Sequence, residues 1–86
     1  MVIQIDIVPH ADNRLLKVSA VSDRYCWRGE QALAGVDSPQ RIVFEVRELP
    51  AGHYDVCGEI LGPAGQLRGM VARRVTLKPR VVSGTV

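Results

Sequence analysis

Hydrophobic and polar residues alternate with a period of two along most of this chain. In "VIQIDIV" (2–8), Ile3, Ile5 and Ile7 share one face, and Gln4 and Asp6 take the other. That is the signature of a half-buried strand. "RLLKVSAVS" (14–22) repeats it with Leu16, Val18 and Ala20 inward. "YCWR" (25–28) reads as a short third strand, with Tyr25 and Trp27 on one face and Cys26 and Arg28 on the other. "RIVFEVR" (41–47) turns Ile42, Phe44 and Val46 inward, and "HYDVCGEIL" (53–61) turns in Tyr54, Val56, Gly58 and Ile60. "LRGMVARRVTL" (67–77) is the last strand expected, and its alternation slips near Gly69 and Met70, which predicts a β-bulge.

Turn chemistry separates these runs. "PHADN" (9–13) joins a proline of fixed φ to Asp and Asn side chains that satisfy local backbone groups, and "GPAGQ" (62–66) is a hairpin-type loop. Residues 29–40, "GEQALAGVDSPQ", fit either a short strand or one helical turn around Gln31–Ala34, ended before Pro39. No segment sustains a helical period. Six or seven short strands at spacings near ten residues predict an all-β chain, an antiparallel sandwich or small barrel.

The stretch "ELPAGHYDV" (48–56) refines this. Leu49 closes the apolar set of the preceding strand, Pro50 sets the turn, and Gly52 supplies a backbone conformation other residues resist. Tyr54 then enters the next strand with its ring in the core, where its hydroxyl needs a partner that the preceding corner can supply. From Ile42 to Leu77 the chain resembles the tyrosine corner and following hairpin of immunoglobulin-like sandwiches. Fibronectin type III domains and carboxypeptidase-regulatory-like bacterial modules carry a similar Leu-x-x-Gly-x-Tyr-x-Val pattern. The resemblance implies an antiparallel immunoglobulin-like sandwich of six to seven strands. It says almost nothing about function, because that fold hosts many unrelated tasks. In such a sandwich Cys26 and Cys57 fall on the third and sixth strands, neighbours in one sheet, both pointing away from the core. They would bridge if the register agrees; the alternative is two free thiols.

Composition bounds the class. Eighty-six residues make one domain, expected over residues 1–78, with 79–86 a flexible tail. A hydrophobic share of 47% against 23% charged excludes a largely disordered chain. Aromatics are limited to Tyr25, Trp27, Phe44 and Tyr54, so Val, Ile and Leu must build the core. No apolar run reaches the roughly 20 residues needed to span a bilayer. The start of the chain lacks signal-peptide character, which favours the cytoplasm unless the cysteines are bridged or the chain is a trimmed piece.

Charge is uneven. Residues 1–59 carry a net −3, while residues 60–86 carry five basic residues and no acid. Arg68, Arg73 and Arg74 are therefore the candidate partner-binding residues, against the plainer reading of cations guarding a strand edge. The partner expected is an unidentified protein, or a second copy through exposed strand edges. No aromatics interleave with these arginines, which weakens a nucleic-acid reading.

Little else points to chemistry. Trp27 is expected in the core; the alternative is a sugar- or peptide-binding platform of Tyr25, Trp27 and Arg28. The serines lack a nucleophile elbow, no glycine-rich phosphate loop leads into a helix, and two cysteines without a Cys-x-x-Cys do not make a zinc site. No enzymatic activity, cofactor or metal is expected. His10 and His53 read as turn histidines.

Overall fold

The alternating runs form strands where the pattern places them. The computed structural model describes residues 1–47, 49–50, 52–76 and 81–86. In these, seven strands follow one another: β1 (Val2–Asp6), β2 (Leu15–Val21), β3 (Cys26–Ala32), β4 (Arg41–Glu45), β5 (His53–Leu61), β6 (Leu67–Thr76) and β7 (Val81–Thr85). They make two sheets, one ordered β4-β1-β7 and the other β3-β2-β5-β6. Between the sheets lies one core, built from Ile3, Ile5 and Ile7, from Leu16, Val18 and Ala20, and from Ile42, Val46, Tyr54, Val56, Ile60 and Val82. The inward residues expected on the first two runs are all buried. Phe44 is half-buried against the core, and so is Leu49.

The corner before β5 is built as the tyrosine requires. Tyr54 is 1% exposed, and its hydroxyl donates to the Pro50 carbonyl at 2.7 Å. Gly52 between them has φ 154°, in a region that side-chain-bearing residues rarely occupy. At the far end of β5, the Gly62 amide donates to the Gln66 carbonyl and closes the hairpin to β6. The bulge predicted near Gly69 is present one residue earlier. Ile60 pairs with Gly69 but Leu61 with Leu67, leaving Arg68 as the extra residue.

Three expectations change. The segment 29–40 contributes no strand of its own: β3 runs on to Ala32, and a single 3-10 turn follows at Gly35–Asp37. The three-stranded sheet is mixed, because β7 lies parallel to β1 whereas β4 is antiparallel to it. Most importantly, the expected tail from residue 79 is largely structured. Residues 79 and 80 lie outside the described residues, but Val81–Thr85 pairs with β1 along its whole length. Val86 extends the pairing, donating to the Asp6 carbonyl at 2.7 Å and accepting from the Val8 amide at 2.9 Å.

The inward positions along β7 and just beyond it are Val82, Gly84 and Val86, and the glycine hides the alternation. It is needed there: a Cβ at Gly84 would lie 2.9 Å from Cγ2 of Val71. The sheets thus close tightly where β6 meets β7. On the opposite side, where β3 meets β4, the seam is aromatic. The Trp27 and Phe44 rings meet edge to face, their centroids 5.6 Å apart at 71°.

Two stability changes follow. Tyr54→Phe keeps the ring and removes one hydrogen bond, and is expected to cost about 1 kcal/mol in urea unfolding with an unchanged slope. A glycine-to-alanine change normally stabilises slightly by restricting the unfolded chain. At Gly84 the clash with a branched, backbone-proximal side chain wins, so Gly84→Ala should cost about 2 kcal/mol. Ser83→Ala beside it, exposed, should stay within about 0.5 kcal/mol. An unchanged midpoint for Gly84→Ala would refute the tight seam.

Candidate functional site

The outer face of the four-stranded sheet carries the clearest candidate surface. Because side chains alternate, everything paired with an outward residue of β2 is itself outward. Register then defines four rows across the sheet. The first, at the β5–β6 hairpin end, is Ala32, Leu15, Leu61 and Leu67, apolar over all four strands. The second is Glu30, Lys17, Glu59 and Met70; the third is Arg28, Ser19, Cys57 and Ala72; the fourth is Cys26, Val21, Asp55 and Arg74. Leu67 and Met70 are 56% and 59% exposed. The charged residues are mostly paired within the face: Lys17 Nζ lies 3.9 Å from Glu30, and Arg74 Nε 3.7 Å from Asp55.

This apolar row is what sequence reading missed, and a signal for it exists. Leu15-Leu16 and Ile60-Leu61 are apolar doublets within period-two strands. One member of each must face solvent, and register then brings the two outward leucines together.

The three arginines expected to act together do not share a surface. Arg74 faces outward beside Asp55, whereas Arg73 follows Val71 and Val75 in the inward phase and emerges at the sheet edge, its guanidinium donating to the Ala72 carbonyl at 2.8 Å. An inward-phase charge on an edge strand also deters pairing with further strands. Arg68 is turned by the bulge toward the β1–β2 connection, 3.7 Å from Asp12. The physical reason for the dispersal is that neighbouring residues of a strand take opposite faces and a bulge resets the phase. Lys78 and Arg80 lie outside the described residues.

The aromatic platform is divided in the same way. Trp27 points inward over Gly29, near enough that a Cβ there would lie 2.7 Å from its ring, and meets Phe44. Arg28 points outward, and Tyr25 is 39% exposed at the strand entrance.

The cysteine expectation is corrected. Cys26 is on β3 and Cys57 on β5, but β2 runs between them. Two strand spacings alone separate them by roughly 9–10 Å, beyond the roughly 7 Å that a disulfide tolerates. Both are free thiols. Burial and the neighbouring Glu59 carboxylate push the Cys57 thiol above its ordinary pKa, which makes it a poor nucleophile.

The histidines are tied into local bonds. The His10 Nδ1 accepts from the Asp12 amide at 3.0 Å, and the His53 Nδ1 lies 2.8 Å from the Thr76 hydroxyl across the β5–β6 pair. On the outer face of the smaller sheet, the Arg41 guanidinium donates to Asp6 at 2.8 Å and holds that carboxyl below its usual range. Among the described residues no group of three or more His, Cys, Asp or Glu side chains is placed to hold a metal ion. No described helix is long and apolar enough to cross a membrane.

Comparison with protein-family models, curated proteins and solved structures gives no match.

Thiol chemistry checks this arrangement. Alkylation in denaturant without reductant should modify both cysteines. In the folded protein, exposed Cys26 should react several-fold faster than Cys57 at neutral pH. The Cys57 rate should keep rising with pH beyond the range of an ordinary thiol, since its thiolate forms late. Equal rates at all pH values would contradict the half-buried placement.

Proposed function

We propose that this domain is a non-catalytic protein-interaction module that docks through the outer face of its four-stranded sheet. The observation that carries this reading is the apolar row of Ala32, Leu15, Leu61 and Leu67 with Met70 beside it. A contiguous apolar strip on a solvent-facing sheet costs solubility, and such strips mark interaction surfaces. Isolated exposed side chains would need no such reading.

Charge enters only at one edge. The face as a whole balances Lys17, Arg28 and Arg74 against Glu30, Glu59 and Asp55, and at the β6 edge the Arg74 side chain is 78% exposed. A protein surface with an apolar strip and an acid opposite Arg74 would complement it, the apolar part giving affinity and the charge orientation. We read the sandwich as immunoglobulin-like. The support is the Tyr54–Pro50 bond at the entry to β5, and the placement of β5 between β2 and its hairpin partner β6.

The test compares variants for the same captured protein. Leu67→Asp/Met70→Asp should reduce capture at least tenfold, and Arg74→Glu a few-fold. Each should shift folding stability by less than about 1 kcal/mol, as expected for exposed positions. Equal recovery of that protein by the Leu67→Asp/Met70→Asp variant would remove the assignment to this face.

A further inference from the structure

Beside the β6 bulge the fold leaves a hollow of about 160 Å³, walled by Ile60, Val86, Val8, Pro9 and the buried Asn13, whose side-chain amide donates to the Val8 carbonyl at 3.1 Å, with His10 and Arg68 at its edge. It lies at the end of the core, on the inner side of β5 and β6, and has no part in the outer-face row. We propose that this hollow binds a small monocarboxylate with a short apolar body.

Size decides the class first. At roughly 30 Å³ per water, the space holds about five water molecules. That is well below the roughly 300 Å³ at which pockets for drug-sized ligands begin. The hollow opens to solvent, so its volume bounds the inserted part: a four- to six-atom aliphatic body fits inside, and most of a nucleotide, a sugar or a peptide segment stays outside. Ile60 is 3% exposed and forms apolar floor, and Gly69 keeps the wall thin: a Cβ there would already lie 3.1 Å from Cγ1 of Val86.

The edge decides the head group. The His10 ring accepts the Asp12 amide at Nδ1, so the neutral imidazole carries its proton on Nε2, which is left as a donor. The second group is the Arg68 guanidinium, with five N–H donors and no acceptor. Both present donors, and a carboxylate is the small group that accepts from both. Arg68 is the residue the bulge inserts, and bulges re-aim side chains in this way. Its side chain is 25% exposed against 78% for Arg74 on the same strand, so it lies closer to the protein, while the residue as a whole stays exposed at the bulge. Its partner Asp12 is 51% exposed and 3.7 Å away, a long pair in water that engages one edge of the guanidinium and leaves donors over.

The probe is sodium isovalerate, followed by amide NMR shifts of the whole chain, with neutral isovaleramide and sodium chloride as controls. Saturable shifts centred on Val8, Gly69 and Val86 are expected at millimolar acid, with isovaleramide at least tenfold weaker. Arg68→Gln should abolish the advantage of acid over amide, and His10→Ala, on an exposed loop, should reduce it several-fold. The spectrum of each variant reports its folding, so either variant alone suffices if the other does not fold. Absence of saturation, or equal affinity for acid and amide, overturns the proposal. So does a short peptide with a free C-terminal leucine that shifts the same residues about tenfold more tightly, since it would assign the hollow to a chain terminus. None of these outcomes depends on Leu67 or Met70, so the outer-face docking reading stands or falls separately.

Discussion

The phase of β5 governs the larger sheet, and it is set at the strand's entry. Tyr54 is buried with its hydroxyl on the Pro50 carbonyl, which fixes which side of β5 faces the core. Strand alternation does the rest: Val56, Gly58 and Ile60 must follow inward, and Asp55, Cys57, Glu59 and Leu61 outward. A slip of one residue would bury two acids and expose three core side chains, so the register is strongly specified. Strands β2 and β6 pair with β5 on either side and inherit its phase. The outward row of leucines and the inward core are therefore two consequences of one hydrogen-bonded corner.

The two sides of the sandwich are closed by different means. Where β3 meets β4, large rings span the gap: Trp27 covers Gly29 on its own strand and reaches Phe44 on the facing sheet. Where β6 meets β7, the side chains are small and the backbones approach, with Gly84 under Val71 and Gly69 under Val86. A chain with only four aromatics cannot fill both sides with rings. Glycine on the second side lets β7 lie close enough to bury Val82, completing the core without another large residue.

What the sequence shows plainly is whatever is local. Ile3, Ile5 and Ile7, or Leu16, Val18 and Ala20, announce their strand and its buried face by spacing alone, and Pro50, Gly52 and Tyr54 announce the corner. Even the β6 bulge is visible, as a broken alternation. Hidden features depend on which strands become neighbours. Strand β7 pairs in parallel with the far end of the chain, so its "VVSGTV" carries no hairpin partner nearby, and Gly84 erases the one remaining alternation. Cys26 and Cys57 looked adjacent until β2 took the place between them. Arg68, Arg73 and Arg74 are close in sequence, but alternation and one inserted residue send them three ways. The apolar row is the intermediate case: its doublets are local, while their alignment is a property of register.

The structure also divides its labour between the two ends of the four-stranded sheet. At the corner end the polar side chains are committed: Asp55 to Arg74, His53 to Thr76, and Ser22 to its own turn, where its hydroxyl accepts from the Tyr25 amide, while Val21 beside them is 40% exposed. At the hairpin end, alternation yields apolar residues to solvent, and a bulge diverts a cation from the outer face to the end of the core. Neither device helps the fold. Leucine in an outward position gives little burial in the isolated domain, and a bulge interrupts the β5–β6 ladder at its most exposed turn. Sequence choices that weaken a domain locally are expected at functional sites, and the proposed docking face and hollow both rest on two such choices in one hairpin, Ile60–Met70, on its opposite sides. That hairpin can present an apolar surface outward and a cationic hollow inward because the corner at the other end of β5 fixes its register.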